Sequence, residues 1–337
     1  MAWARVLAFA DPLPCAAALQ STAQAEILPT ERGRFGAEVT QIGIEKLRMQ
    51  RFAVALPQVI TVAASPDRKA IGFLTEANAS TLWHCGVEVL PSNILVYGDD
   101  VLHQRSSYDF RYATMSLPAK QFPVLCKTIM GREFLAEPRT SLVRSNPTLM
   151  TRLLKIHKVV GQLARDTPDI LQQEEVGRAL EEQLIHIMIR CLAEAAGVET
   201  TTGDRRYHAI IKGFEDFLAA HPDRPLYLTE ICAAIGVAER TLRAACEEHL
   251  GMGPIRFLAL RRMHLVRQAL LLADHTKVTV TRVVTDHGFW ELGRFSVAYR
   301  ALFGEAPSKT LRRSTEVVIN LNRPSSLSTT EFCGLAN

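Results

Sequence analysis

Leu228–Gly236, LTEICAAIG, lies over Val280–Gly288, VTRVVTDHG, with no gap, and apolar, Thr, charged, β-branched and Gly positions coincide. Each copy opens on a Thr (Thr229, Thr281) placed to cap a helix, continues along an apolar face, and closes on a Gly suited to the left-handed residue that ends one. A second amphipathic run follows each copy. Leu242, Cys246 and Leu250 recur at helical spacing in the first, Phe295, Tyr299 and Leu302 in the second. Helix, short turn at Gly, helix is the helix-turn-helix arrangement, whose second helix fits the major groove of DNA. One match is weak, because any helical hairpin scans this way. Two matches in one chain, over 228–250 and 280–303, are far more specific.

Between the copies, Pro254 to Ala273 reads as one long helix, with Pro in its first turn and Phe257, Leu258, Leu265 and Leu270 on an apolar face. Twenty residues at 1.5 Å span ~30 Å. Successive major-groove faces lie ~34 Å apart, so both second helices could read one side of a duplex. Asp204 to His221 carries Ile210, Ile211, Phe214, Phe217 and Leu218 at helical spacing and stops at His221-Pro222. Charge follows the same division: residues 204–313 hold 17 Lys and Arg against 12 Asp and Glu, whereas the rest of the chain holds 22 against 23. Basicity confined to one region is the footprint of a polyanion-binding module joined to a neutral one.

Upstream the pattern changes. From Arg51 to Leu117 short apolar runs such as FAVALPQVITVAA, TLWHCGVEVL and YDFRYATMSL alternate with turn formers, predicting an antiparallel β domain, a small barrel or sandwich. Two helical stripes follow: Leu149, Leu153, Leu154, Ile156, Val160 and Leu163, then Val176, Leu180, Leu184, Ile187, Met188, Cys191 and Leu192 after a break at Thr167-Pro168. They are expected to pack on the β domain or on a second chain. The fold class is therefore α+β, a β barrel or sandwich with a helix pair, then an all-α region.

The 337 residues suffice for about two domains. Seven scattered cysteines with no C-x-x-C spacing indicate neither a zinc ribbon nor a disulfide framework, and fit a reducing compartment. Asp11 and Pro12 cut the only leader-like run, VLAFA, and no apolar stretch approaches the ~18 residues of a membrane span, so the chain reads as cytoplasmic. Residues 1–30 and 314–337 are expected as tails.

The run GVAERTLRAACEEHLGMGPIRFLALRRMHLVRQALL, then DHGFWELGRFSVAYRALFGEAPSKTLRR, resembles the DNA-binding domain of AraC/XylS-type transcriptional regulators. The second stretch, with its GF, Phe295, Tyr299 and closing FGEAPSKTLR, is the more specific. The resemblance covers about 204–313. It implies a cupin-like effector-binding and dimerisation domain over 31–200, although no motif there carries it. Cys232 and Val284 depart from the small alanine usual in the family. The resemblance further implies double-stranded promoter DNA, a small-molecule effector, RNA polymerase and a second copy of the chain as partners, and activation rather than repression; the lack of long apolar runs and of P-loop, G-x-G-x-x-G, G-x-S-x-G or H-E-x-x-H motifs leads to an expectation of no membrane, no cofactor and no catalytic activity.

On the first recognition helix, burial of Leu242, Ala245, Cys246 and His249 leaves Glu239, Arg240, Thr241, Arg243 and Ala244 facing DNA. Arg240 and Arg243 are candidates for bidentate contact with guanine, or for phosphate contact alone. The same register on the second gives Leu292, Gly293, Arg294, Ser296 and Val297, with Arg300 behind them. The first unit is thus expected to carry most base readout, and the second thymine-methyl contacts and phosphate anchoring. Trp290 is expected to pack, the commoner fate of Trp. Arg261, Arg262 and Arg267 either pair with acidic groups or brace the backbone contacts, with Arg262 expected to act within the chain. Trp83, Tyr97, Phe110 and Tyr112 either line an effector pocket or are core; the effector-binding residues are otherwise unknown. Two rival functions stay open. A metal-dependent cupin-type enzyme fused to a DNA-binding domain would draw on His84, Glu88 and His103, which lack the usual ligand spacing, so no metal ligand is expected. A non-specific architectural DNA-binding protein would need broader basicity.

Overall fold

The computed structural model describes residues 2–19, 23–76, 80–132, 139–198, 202–221 and 226–313. The tail expected over 314–337 lies outside them. In chain order the N-terminal part runs β1 (Trp3–Phe9), α1 (Pro12–Ala18), β2 (Ala23–Pro29), β3 (Ala37–Ile44), β4 (Leu47–Val54), β5 (Gln58–Ala64), β6 (Arg68–Leu74), β7 (Leu82–His84), β8 (Val87–Val89), β9 (Asn93–Val96), β10 (Val101–Ser106), β11 (Phe110–Pro118), α2 (Phe122–Met130), β12 (Ser141–Arg144), α3 (Pro147–Asp166), α4 (Pro168–Gln172), α5 (Glu174–Ala193) and β13 (Ala196–Gly197). Seven helices follow: α6 (Thr202–Ala220), α7 (Leu228–Ile235), α8 (Glu239–Leu250), α9 (Pro254–Leu272), α10 (Val280–Asp286), α11 (Leu292–Phe303) and α12 (Pro307–Arg312).

The strands form two antiparallel sheets, one of eight in the order β1-β3-β4-β11-β6-β9-β12-β13 and one of five in the order β2-β5-β10-β7-β8. Apolar clusters drawn from both sheets fill the space between them, one around Ile27, Val39 and Val54 and another around Leu82, Leu102 and Tyr112. Of the barrel or sandwich expected, this is the sandwich. The larger sheet is also covered on its outer side, which is why β3 is buried at nearly every position instead of alternating. Its cover is the helix pair α3 and α5, whose Leu153, Val160, Leu184 and Met188 join Ile42, Met49, Ile71 and Met115 in the largest core cluster. The buried Glu181 of α5 fixes their seat. Its Oε1 accepts from the amides of Lys46 and Leu47 at the β3–β4 turn, at 2.8 and 2.9 Å. One face of the helix pair is therefore committed within the chain.

Residues 1–30 are not the tail expected of them. β1 pairs with β3, β2 pairs with β5, and α1 buries Cys15 and Ala16. Asp11, which breaks the leader-like run, caps α1 by accepting from the Leu13 amide at 3.0 Å. Composition misled here because the small apolar residues of an edge strand and a short helix resemble a leader.

The chain divides into two compact units inside α9, between Leu260 and Arg261. The first holds the β sandwich, α6 and the α7–α8 hairpin, and includes a core of Ile210, Ile211, Phe214, Leu242, Cys246 and Phe257. The second holds α10, α11 and α12 around Val266, Leu270, Val284, Phe295 and Tyr299. Among the described residues no helix is long and apolar enough to cross a membrane.

Candidate functional site

Both helical hairpins form, and each turns on the glycine the repeat picks out, with Gly236 at φ 70° and Gly288 at φ 77°. Their N-termini lie two residues earlier than the repeat suggests. The caps are Tyr227 and Thr279, not Thr229 and Thr281, which fall inside the first turns. Thr279 is a working cap, since its hydroxyl accepts from the Arg282 amide at 3.3 Å, whereas Tyr227 makes no side-chain cap bond. The apolar residue at the start of each copy is already helical, so the aligned Thr looked like the boundary.

In α8 the residues expected to be buried, Leu242, Ala245, Cys246 and His249, are buried. Glu239, Arg240 and Arg243 are exposed, and Thr241 and Ala244 are half-buried beside them. Arg243 Nη2 stands 3.1 Å from Glu239 Oε1. An exposed i,i+4 pair of this kind is worth only ~0.3–0.5 kcal/mol, so a phosphate or base edge can displace it. In α11 Phe295 and Tyr299 are buried while Leu292, Gly293, Arg294, Ser296, Val297 and Arg300 are exposed. Arg294 pairs with Glu291 at 2.8 Å.

Trp290 does not pack. It is 78% exposed, because its neighbour Phe289 takes the core position, its ring tilted against Phe295 at 4.9 Å. Arg262 lies over the Phe289 ring at 5.0 Å, and Arg267 makes a buried ion pair with Glu305 at 3.0 Å. Glu305 also accepts from Thr310, which in turn accepts from the Tyr299 hydroxyl at 2.9 Å, and Arg313 closes the network on its other oxygen at 3.0 Å. Arg262 and Arg267 thus hold the second unit together.

The β sandwich encloses a cavity with about 80 Å³ of room for the centres of water-sized groups, several times the ~10–15 Å³ that one water needs. Tyr97, Phe110 and Tyr112 line it; Trp83 lies elsewhere, under the Arg105 guanidinium at 3.9 Å. The walls are mostly apolar, with Phe52, Ile60 and Val62. The Tyr97 and Tyr112 hydroxyls bond to each other at 2.9 Å, and the Gln58 amide has no partner among the described residues. No Lys, Arg, Asp, Glu or His is among the described lining residues.

The residues weighed for a cupin-type metal centre are not brought together. His84 and Glu88 fall on opposite strands of the β7–β8 hairpin, His84 buried and Glu88 exposed, because a turn at Cys85-Gly86 divides them. His103 is buried on β10, its Nε2 2.7 Å from the Glu215 carboxylate of α6.

A family model described as a helix-turn-helix domain matches residues 231–313. An XylDLEGF operon transcriptional activator 2 of Pseudomonas putida is 33% identical over 112 residues, which are 33% of this chain and 71% of that protein. The chain belongs to the AraC/XylS family of transcriptional regulators. A probable thc operon regulatory protein of Rhodococcus erythropolis is 36% identical over 103 residues, and there the match spans only 31% of either chain. The AraC-like transcriptional activator CuxR aligns over 77% of this chain and 94% of its own, at 13% identity and a TM-score of 0.40. The family model spans the hairpins of both units and stops short of the sandwich, so the cavity lies outside it.

Proposed function

We propose that this chain is a sequence-specific, effector-controlled transcriptional activator, acting in the cytoplasm as a homodimer on double-stranded promoter DNA, in contact with RNA polymerase and without catalytic activity of its own. The observation that carries this reading is the pair of helix-turn-helix hairpins, the first with Arg240 and Arg243 exposed above a buried base. Residues 204–313 bind DNA. Glu239, Arg240, Thr241, Arg243 and Ala244 face base edges, and Arg240 and Arg243 are suited to guanine O6 and N7. Leu292, Gly293, Ser296 and Val297 give apolar and weakly polar contact, while Arg294 and Arg300 hold phosphates.

The β sandwich, with β1, α1 and β2, and its helix pair sense the effector and self-associate. The inner faces of α3 and α5 are committed to the sandwich, which leaves their outer faces for a second copy. The cavity suits an uncharged, largely apolar small molecule with one hydrogen-bonding group for the Gln58 amide, since a charged ligand would meet no countercharge in its walls. The effector acts only if it binds the DNA-competent and incompetent arrangements with different affinity.

Genome-wide mapping of bound sites, followed by titration of the best site against scrambled DNA at two salt concentrations, tests this reading. A specific-to-nonspecific ratio of ~10³ or more with a recurrent two-part site is expected. Weak, site-indifferent binding that disappears with salt would mean an architectural protein instead.

A further inference from the structure

The β7–β8 turn consists of two residues, Cys85 and Gly86, both at positive φ, 49° and 85°. Such two-residue hairpins favour Asn, Asp and Gly, because other side chains are strained there. Here a cysteine takes the strained position. Its Sγ comes to 3.3 Å from Nδ1 of His208 on α6 and 3.9 Å from Nδ1 of His84. His249, near the end of α8, completes a group in which one donor atom from each of Cys85, His208 and His249 lies within 4.8 Å of the other two. Gly86 makes the approach of α8 possible, since a Cβ there would stand 3.1 Å from Glu248 Cγ and 3.5 Å from His249 Cδ2.

One thiolate at ~2.3 Å and two imidazoles at ~2.0–2.1 Å from a tetrahedral ion sit about 3.5 Å from one another. The Cys85–His208 spacing of 3.3 Å is already close to that value, and no separation in the group exceeds it by more than about 1.3 Å. We propose that Cys85, His208 and His249 bind one thiophilic d10 cation, Zn²⁺ or Cu⁺, a class that a thiolate with imidazoles selects over harder ions. The fourth position is open to water or to His84. Binding exchanges the Cys85 S–H bond for a sulfur–metal bond and releases one proton to solvent, with no change of oxidation state. The three ligands come from the β7–β8 turn, α6 and α8, so the ion ties the sandwich to the helix that carries Glu239–Ala244.

The test uses the reduced full-length protein, stripped with a chelator and titrated with Co²⁺ as a spectroscopic stand-in for Zn²⁺, and separately, without oxygen, with Cu⁺ against a chromophoric competitor. One equivalent of ion per chain is expected, with a thiolate-to-cobalt charge-transfer band that Zn²⁺ bleaches. Cys85→Ser removes the band. His208→Gln weakens binding by at least the ~10-fold that losing even an outer-shell partner costs. Cys232→Ser, a half-exposed thiol on α7, changes neither. Should Cys85→Ser fail to fold by circular dichroism, the half-exposed His208 carries the test alone. Uptake of one ion at these residues supports the site, and competition between the two ions names the occupant. Binding of neither ion by folded protein, or an unchanged band and affinity in the Cys85 and His208 variants, overturns it.

Discussion

The α7–α8 and α10–α11 hairpins share a nine-residue pattern and a left-handed glycine in the turn, yet they present unlike surfaces. The first shows Glu239, Arg240 and Arg243, three charged groups suited to base edges and phosphates. The second shows Leu292 and Val297 around Arg294, with Trp290 78% exposed at its edge. Their interiors differ as well. Aliphatic and small residues, Leu242, Ala245 and Cys246, fill the first, whereas a ladder of Phe289, Phe295, Tyr299 and Phe303 fills the second, with rings 4.6–5.5 Å apart. What the repeat preserves is what the hairpin backbone requires. Which surface it offers is free to diverge, so the two copies can divide readout and anchoring between them.

The largest effect that would sharpen this comparison is in the second interior. Tyr299→Ala removes a fully buried ring and leaves the Thr310 hydroxyl, which donates to Glu305, without the donor it accepts from. A loss of ~3–5 kcal/mol is expected from the cavity alone. Denaturant unfolding measures it, and a loss below ~1 kcal/mol would mean that the ladder does not hold α11 in place.

Next come the glycines that end the two recognition helices. Gly251 and Gly304 share the same left-handed conformation, φ 72° and 73°. A Cβ at Gly304 meets nothing within 4 Å, whereas at Gly251 it would lie 2.4 Å from Nη1 and 2.6 Å from Cδ of Arg105 on β10. Gly304→Ala is expected to cost the backbone strain alone, ~1–2 kcal/mol. Gly251→Ala should exceed it by about 1 kcal/mol or more, because the Arg105 stem must also move. Equal losses would show that Arg105 does not hold the end of α8.

Short-range patterns carried the helices. The spacing of Leu242, Cys246 and Leu250 or of Phe295 and Tyr299 is local, and burial follows it directly. Boundaries were less legible, because Thr229 and Thr281 are as suited to a first turn as to a cap. Trp290 and Phe289 are adjacent aromatics, and periodicity alone cannot say which turns inward after a glycine at positive φ. Least legible are groups that only the tertiary fold assembles. Cys85 and His208 are 123 residues apart with no motif between them, and the one local signal was a cysteine beside a glycine between two short apolar runs. The same holds for the cavity, whose walls read as any β core.

An effect on binding, not on stability, separates the two exposed faces. Arg243→Ala is expected to cost ~1–3 kcal/mol on the specific site and little on scrambled DNA, so the ratio between them falls. Arg294→Ala should weaken both alike and reduce the salt slope by about one unit. Competition titrations at two salt concentrations distinguish the patterns. An equal loss of discrimination from both variants would break the division of labour.

The smallest effect on stability is expected at Trp290, and its value lies in what it isolates. An indole that is 78% exposed buries too little surface to matter for folding, so Trp290→Ala should shift the unfolding free energy by less than ~0.5 kcal/mol. Its ring stands two residues before Leu292, where α11 begins, next to the face that carries Arg294 and Ser296. Contact with the sugar and base edges of a duplex would cover the exposed indole, and the substitution tests whether it does. A drop in affinity with unchanged stability therefore assigns the side chain to the DNA surface, and Trp290→Phe should recover part of the loss. If instead Trp290→Ala lowers stability by more than 1 kcal/mol with no change in DNA affinity, the second face is narrower than proposed, and anchoring rests on Arg294 and Arg300 alone.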